Sequence, residues 1–317
     1  MDNTPRLSII VPAYNVERFL DKCLASICNQ TFRDFEVLLI NDGSTDSTSR
    51  LCEVWAAKDA RVRFINQKNC GLAAVRNVGV REARAALIMF VDSDDYLELD
   101  AIEILLQRKE ETGVEIVIGH QVFEYPDHTE YHPQLPKGVI SGKKAYKELL
   151  YDLRLNSFLW AKIYDRGVFD GIVFPEDLLL EDYSVMHKLI LNARRVAVTE
   201  RVVYHYVRHE GAVLMNPALS SPRNALYLKF FLERLEHARA HLSRHDFAIF
   251  RYRMVRRMIR TLAEEQKKGH YPEGSRECLL MYRVISTLCG REVTPSDYPH
   301  LLRWSRRKEW LAKLFCW

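Results

Sequence analysis

The densest group of potential metal ligands in this 317-residue chain is Asp92-Ser93-Asp94-Asp95, directly after the apolar run Ala85 to Val91. Adjacent carboxylates repel and raise one another's pKa, so a folded protein holds them together most easily around a cation. Oxygen ligands on a short loop suit Mn²⁺ or Mg²⁺ with positions left open for phosphate oxygens. The loop therefore predicts a divalent-cation site. The alternative is a solvated acidic turn that caps a helix near residue 100.

A second acidic pair, Glu181-Asp182, follows three leucines at 178–180. This order places a carboxylate at an apolar edge, where weak solvation raises its pKa toward the range of a general base. The alternative is that Asp182 caps the helix that continues to Asn192, a frequent role for aspartate.

Alternating apolar runs and helical periodicity predict the elements that position these groups. Predicted strands cover 7–11, 35–40, 62–65 and 85–91, and predicted helices cover 16–29, about 44–58 with Ser44 or Thr45 as cap, 71–84 and 100–111. This order implies a parallel sheet with helices on both faces. Ligands of such folds bind beyond the carboxyl ends of the strands. The loops 12–17, 41–46 and 92–96 are therefore the candidate site.

The remaining chain is less regular. We expect a strand at 115–118, a hairpin within 120–136, a helix opened by Ser141, mixed short strands over 157–207 with a helix at 182–193, and then helices at 221–242, 246–268, 275–289 and 300–316. The stripe Phe247, Phe250, Met254, Met258 and Leu262 has the spacing of a buried helix face.

Composition indicates a globular chain, because 48% of the residues are hydrophobic and 28% are charged. Residues 1–200 hold 24 Lys and Arg against 31 Asp and Glu, whereas residues 201–317 hold 22 against 11. We expect the two parts to face different partners. Seven cysteines without a CxxC motif, no signal-peptide pattern and no apolar run near ~20 residues predict a cytoplasmic protein outside the bilayer core.

Five motifs resemble, in order, the signature of family 2 glycosyltransferases. They are Leu7 to Asn15, Asn29-Gln30-Thr31-Phe32, Asn41 to Asp46, Gly71 to Asn77, and Asp92-Ser93-Asp94-Asp95. One departure is Val75, where the family usually has alanine. The resemblance implies an α/β GT-A fold with a mostly parallel, Rossmann-like nucleotide-binding sheet. It also implies a nucleotide-sugar donor and inverting transfer that makes a β-linkage.

The resemblance assigns roles to individual residues, with a UDP-sugar as donor. Pro12, Ala13, Tyr14, Asn15 and Glu17 border the nucleotide, Asp42 bonds uracil, Arg76 and Asn77 line the uridine or diphosphate, Asp92 reaches the ribose and donor sugar, and Gly71 and Ser93 complete the donor set. Asp94, with Asp92 and Asp95 beside it, holds Mn²⁺ or Mg²⁺. Asp182 is the implied base, and Glu181 orients it or the acceptor.

Two downstream segments resemble the same branch of the family. Trp160 and Lys162 are the expected acceptor-binding residues, although a tryptophan in the core is an equal alternative for the first. In the segment 203–211, Val207 stands where arginine is expected and Arg208 follows it. We expect Arg208 to bind the diphosphate. Whether His205 or His209 ligates the metal stays open here.

These features predict a catalytic domain at 1–215, divided into nucleotide-sugar binding at 1–118 and acceptor binding and catalysis at 119–215, and a basic helical region at 216–317. Tryptophans and cations over 300–317 fit a helix lying on an anionic membrane surface. A helix that packs on its own domain or on a second copy is the alternative. We expect a glycan acceptor, lipid-linked, and an enzyme peripheral to the inner face of the cytoplasmic membrane.

Two other functions use the same features. A metal-dependent nucleotidyltransferase shares an acidic loop on a nucleotide-binding sheet, but it usually has a glycine-rich loop near the first strand, which this sequence lacks. A non-catalytic module could bind nucleic acid or membrane through the basic tail. No nucleic-acid motif occurs and the first part is acidic, so we expect no nucleic-acid partner. The oligomeric state is left open.

Overall fold

A computed structural model describes residues 4–131, 135–151, 155–176, 181–209, 232–297 and 300. The chain forms two compact units, Met1–Ala212 and Val213–Trp317. The first unit contains the sheet, and the described part of the second is helical.

Within its described residues, the first unit contains ten strands and six α-helices. The strands are β1 (Leu7–Ala13), β2 (Phe35–Asp42), β3 (Val62–Gln67), β4 (Leu87–Phe90), β5 (Tyr96–Leu97), β6 (Ile116–Glu124), β7 (Thr129–Tyr131), β8 (Val139–Ser141), β9 (Lys162–Asp165) and β10 (Arg195–Val207). The helices are α1 (Leu20–Cys28), α2 (Thr48–Lys58), α3 (Leu72–Glu82), α4 (Ala101–Thr112), α5 (Gly142–Leu150) and α6 (Glu181–Asn192).

The strands join in one sheet in the order β3-β2-β1-β4-β9-β6-β10-β5, with β7 on β6 and β8 on β10. The first four of these are mutually parallel, as predicted. Strand β9 pairs antiparallel with both β4 and β6. The sheet is therefore mixed, and its parallel half brings the ends of β1, β2 and β4 to one edge, in agreement with the expected α/β architecture.

Burial explains why the first strands are continuous apolar runs. Every residue of β1 and β2 is buried, which is typical of strands covered on both faces. Helix α1 packs Leu20, Cys23, Leu24 and Ile27 into the same core. Each fully buried aliphatic side chain of this kind contributes about 1.5–3 kcal/mol. The core thus holds the strand ends rigidly in place.

Several helix starts in the first unit differ from the prediction. Helix α1 begins at Leu20 rather than at residue 16, after a turn in which the Phe19 and Leu20 N–H groups donate to the Val16 carbonyl. Helix α2 begins at Thr48 with Ser47 as N-cap, several residues later than Ser44 or Thr45. The reason is that carboxylates from outside the helix satisfy its first N–H groups: Glu17 accepts from the Ser47 N–H at 2.8 Å and Asp46 from the Thr48 N–H at 2.9 Å. Helix α6 begins at Glu181, one residue early.

In the second unit, α7 (Arg244–Lys267) and α8 (Arg276–Cys289) begin at Ser243 and Ser275, whose hydroxyls accept backbone N–H bonds as N-caps. Residues 232–241 are also helical. Four members of the predicted stripe are buried, namely Phe250, Met254, Met258 and Leu262, whereas Phe247 is half-buried. Residues 221–231 of the helix predicted at 221–242, and residues 301–316 of the helix predicted at 300–316, lie outside the described residues.

Within the described ranges, no helix has the length and apolar character needed to cross a membrane. The six described cysteines are all free thiols, and Cys70 is the exposed one among them.

Candidate active site

The loops that follow β1 and β2 are locked together. Asn15, in the left-handed region with φ 51°, accepts from the Thr45 N–H at 2.8 Å and donates its own N–H to the Ser44 hydroxyl at 3.1 Å. Pro12 and Ala13 are buried at the end of β1, whereas Tyr14 is 48% exposed. Of the residues expected to border the nucleotide, Tyr14 therefore offers a free ring face, and Asn15 and Glu17 serve the loop itself.

Asp42 ends β2 and is buried. Its Oδ1 accepts from the Gln67 side chain at 2.8 Å and the Cys70 N–H at 2.9 Å, and its Oδ2 accepts from the Gly71 N–H at 2.8 Å. Three donors from the chain occupy most of this carboxylate. Asp42 thus holds the loop that leads into α3. The sequence predicted a bond to uracil for this residue, but not this positioning role. Gly71, at φ 89°, begins that helix.

The acidic loop contains two accessible carboxylates and one buried one. The side chains of Asp92 and Asp94 are 24% and 29% exposed. Asp95 is 1% exposed, accepts from the Tyr204 hydroxyl at 2.7 Å and the Val207 N–H at 2.8 Å, and has a pKa raised by burial and by its two acidic neighbours. Asp95 therefore fastens the loop to β10, and the structure favours Asp92 and Asp94 over it as metal ligands. Ser93 is also buried.

Arg76 connects this loop to the second acidic pair. It is buried in α3, forms an ion pair with Glu181, and lies 3.2 Å from Asp92 through Nη2. Burial opposes its charge, but Glu181, Asp92 and Asp182 raise its pKa above the ordinary value. The pKa of Asp92 rises to about 6, because burial outweighs the attraction of Arg76.

Asp182 has the environment of a general base. Burial and the adjacent Glu181 raise its pKa to about 7, while Arg76 and the Tyr183 N–H, which donates to Oδ1 at 2.7 Å, oppose the shift. Lys162 lies within electrostatic range of it, and burial lowers the pKa of this lysine to about 7. A carboxylate of this kind is poised to accept a proton near neutral pH.

The three candidate basic side chains at 205–209 have different surroundings. His209 places Nε2 3.1 Å from Oδ2 of Asp94 and stacks on Phe19. His205 instead lies between Glu98 and Glu124, at 2.8 Å from each. Arg208 lies over the rings of Phe123, Tyr125 and Tyr206. Of the two histidines, His209 is therefore the one beside the acidic loop.

Two residues expected to bind the acceptor are buried. The Trp160 indole is 3% exposed and stacks on Phe158 and Tyr204 at 4.5 and 4.6 Å. Lys162 is 2% exposed and donates to the Phe158 carbonyl at 2.7 Å. A sugar platform requires an open ring face, which Trp160 does not offer, and the Lys162 ammonium donates to carbonyls of the chain. Trp160 belongs to the core, and Lys162 holds the loop that precedes β9.

A divalent cation fits the donors that remain. Over the described ranges, no three His, Cys, Asp or Glu side chains form a ready-made metal cluster. Asp94 and His209 are adjacent, however, and Asp92 is nearby on the same loop. Mg²⁺ and Mn²⁺ sites on nucleotide substrates commonly take only one or two protein ligands and leave the others to phosphate and water.

Sequence reasoning missed the positioning residues. Tyr204 donates its hydroxyl to Asp95 and accepts the Asp92 N–H at 3.1 Å. Asn77 bonds the backbone of Phe174 rather than facing an open site. The aromatic run 204–206 was the only available signal for Tyr204, and nothing local to Asn77 indicated its partner 97 positions away.

A mixed sheet whose parallel half ends in acidic loops, with a second acidic pair joined to one of those loops by an arginine, is typical of nucleotide-binding α/β proteins. Residues 8–172 match Glycosyl transferase family 2, and the chain belongs to that family. Family membership favours glycosyl transfer over the nucleotidyltransferase alternative.

The comparisons with individual proteins agree. An uncharacterized glycosyltransferase of Bacillus subtilis, EpsJ, is 34% identical over 220 residues, which are 67% of this chain and 64% of that protein. The fold resembles that of S. aureus TarS 1-349, solved in complex with UDP-GlcNAc, with a TM-score of 0.70, 21% identity and coverage of 95% and 87% of the two chains. The mannosyltransferase PcManGT of Pyrobaculum calidifontis, solved with GDP-Man and Mn²⁺, has a TM-score of 0.54, 16% identity and coverage of 95% and 84%.

Proposed function

We propose that this protein is an inverting glycosyltransferase that moves a hexose or N-acetylhexosamine from a UDP-sugar to a hydroxyl of a glycan in surface-polysaccharide synthesis. The observation that supports the proposal is the pairing of Arg76 with two carboxylates. Arg76 pairs with Asp92 of the donor-side loop and with Glu181, the residue directly before the candidate base Asp182. A displacement at the anomeric carbon needs a leaving-group site and a base on opposite sides of one sugar, and this cluster supplies both.

The donor end is formed by Tyr14 and the acidic loop. Tyr14 is exposed where the loops after β1 and β2 meet, so its ring can stack on a base. The UDP-GlcNAc complex of TarS supports a UDP-sugar as the donor class. We assign the diphosphate to the side of Asp92 and Asp94, with Arg208 as a further basic group in the segment that follows β10.

We assign Asp94 and His209 as the ligands of Mn²⁺ or Mg²⁺, with Asp92 beside them. When bound, such a cation neutralises the negative charge that develops on a leaving nucleoside diphosphate. The protein's own contribution is to hold the two ligands 3.1 Å apart and to fix the loop through the bonds of Asp95 to Tyr204 and Val207. Manganese in the PcManGT complex supports this choice of cation.

Asp182 acts as the base. It accepts the proton of the acceptor hydroxyl while the acceptor oxygen forms a bond to the anomeric carbon. The bond from that carbon to the diphosphate oxygen breaks, and its electron pair leaves with UDP. Attack on the face opposite the leaving group converts an α-linked donor into a β-linked product. Glu181, neutralised by Arg76, orients Asp182 or the acceptor.

The basic composition of the C-terminal region is consistent with an acceptor that is bound to a membrane. We propose that residues 300–317, which lie outside the described ranges, contact an anionic membrane surface and bring the enzyme to a lipid-linked glycan. On this proposal the enzyme works at the inner face of the cytoplasmic membrane. In this proposal residues 1–215 form the catalytic domain, and residues 216–317 form the basic helical region, of which 300–317 contact the membrane.

A panel of UDP-Glc, UDP-Gal, UDP-GlcNAc, UDP-GalNAc and the corresponding uronates tests the function. In the presence of Mn²⁺ we expect slow release of UDP from at least one donor without acceptor, because water replaces the glycan hydroxyl. No release from any member, together with no binding of UDP, would contradict the proposal.

A further inference from the structure

Asn77 forms a two-way hydrogen bond with a distant backbone segment. Its Oδ1 accepts from the Phe174 N–H at 2.8 Å, and its Nδ2 donates to the Phe174 carbonyl at 2.9 Å and to Oε1 of Glu176 at 3.2 Å. The orientation of the carboxamide is determined, because the flipped amide would set donor against donor and acceptor against acceptor. The side chain thus pairs with Phe174 as a neighbouring strand would.

Phe174 is itself anchored under the acidic loop. Its side chain is 1% exposed, and its ring packs on Phe90 at 6.0 Å in an edge-to-face arrangement and on Phe169 at 6.5 Å. Phe90 is the last residue of β4, two positions before Asp92. The position of Phe174 is therefore tied both to α3 and to the strand that carries the acidic loop.

The same helix holds the far end of this segment. Arg76, directly before Asn77, forms the buried ion pair with Glu181. Successive residues of a helix point about 100° apart, so the two side chains reach different parts of one chain segment. The chain contacts α3 at Phe174 and again at Glu181, and the candidate base Asp182 is the next residue.

We propose that Asn77 is a positioning residue for the transfer step: by holding Phe174 it sets the place of Glu181 and Asp182 relative to the donor-side loop. This inference rests on the proposed function. It differs from the expectation that Asn77 lines the nucleotide, since its carboxamide bonds Phe174 and Glu176 in the described part of the chain. A displacement of ~1 Å at a reacting group lowers a rate by about 10²-fold. The effect of losing Asn77 therefore falls on turnover and leaves nucleotide binding intact.

Two variants and a matched control separate these effects. Asn77→Ala removes all three bonds. Asn77→Asp keeps the size and the acceptor for the Phe174 N–H but removes the donor and places a carboxylate against the Phe174 carbonyl and Glu176. Glu176→Gln retains an acceptor for Nδ2 and changes only the charge at an exposed position, so we expect it to behave as the unmodified protein.

The measurement is kcat and KM for the best donor of the panel, together with the Kd for UDP and the binding stoichiometry from calorimetry. Both Asn77 variants should lose roughly 10- to 100-fold in kcat per UDP-binding site and keep the Kd for UDP within about twofold. A Kd raised about tenfold or more would return Asn77 to the nucleotide site and overturn the proposal. Unchanged kcat would overturn it too, as would failure of both variants to fold.

Amide exchange at Phe174 distinguishes this inference from the function on which it rests. We expect faster exchange of the Phe174 N–H in Asn77→Ala than in the unmodified protein, since its acceptor is gone. If the unmodified protein neither releases UDP from any donor nor binds UDP, the proposed function fails, whereas exchange that is unchanged in the variant contradicts the inference alone.

Discussion

Arg76 and Glu181 form an ion pair in which both side chains are only 4% exposed, although 105 positions of chain separate them. Arg76 also reaches Asp92 of the acidic loop. One guanidinium therefore neutralises carboxylates from both sides of the proposed reaction. Because Glu181 is buried and Asp92 is only partly exposed, we expect loss of the arginine to affect folding as well as catalysis.

Arg76→Ala should destabilise the protein by about 3–5 kcal/mol, since removing one partner of a buried pair leaves the other charge uncompensated. Urea unfolding measures this change. Arg76→Lys, which keeps the charge but not the forked geometry, should lose less. Arg81→Ala, at a position with a 67% exposed side chain, is the control and should be nearly silent. A loss below about 1 kcal/mol for Arg76→Ala would contradict the bridging role.

The rate of transfer should depend on the protonation of Asp182. Burial and Glu181 raise the pKa of this carboxyl to about 7, and a base acts only when it is deprotonated. We expect kcat/KM, which reports the free enzyme, to fall about tenfold for each pH unit below 7 and to level off above it. The pH profile of kcat/KM for the best donor tests this. A profile that is flat from about pH 5 to 8 would remove Asp182 as the base.

Loss of either proposed metal ligand should weaken the binding of UDP only when the metal is present. We expect Asp94→Asn and His209→Gln to raise the Kd for UDP with Mn²⁺ by roughly tenfold or more, and to have little effect in EDTA. Calorimetric titration under the two conditions measures the difference. Equal affinity of the unmodified protein for UDP with Mn²⁺ and with EDTA would show that the metal assignment is wrong.

Removal of residues 300–317 should reduce binding to anionic vesicles. These residues carry three tryptophans and five Lys or Arg, a composition that fits a helix in the plane of an anionic surface. Sedimentation with phosphatidylglycerol vesicles tests the contact, and neutral phosphatidylcholine vesicles are the control. If the truncated protein binds the anionic vesicles as strongly as the full chain, another part of the protein makes the contact.

The sequence predicts the parallel half of the sheet well, because β1, β2 and β4 are buried, largely apolar runs that are each followed by a polar loop. It predicts the acidic loop and Asp182 for the same reason: their position follows from local order along the chain. Strand β9 was not predictable in this way. Its antiparallel position depends on pairing over more than 70 positions with β4 and more than 40 positions with β6, for which periodicity carries no signal.

Residue type identifies the polar groups of the site but not their partners. Asp42, Asp95 and Glu17 are carboxylates in the expected loops, yet backbone N–H groups and a tyrosine hydroxyl occupy them in the structure. A buried loop must satisfy its own donors, and a carboxylate does so as readily as it binds a ligand. Trp160 was ambiguous from sequence, since core and platform tryptophans have the same neighbours along the chain.

The most direct test of Asp182 as the base compares Asp182→Asn with the unmodified protein and measures transfer and UDP affinity on the same preparations. We expect the variant to lose about 10²–10⁴-fold in kcat and to keep its Kd for UDP, because the base acts on the acceptor and not on the nucleotide. Near-normal turnover by the variant would contradict this role of Asp182.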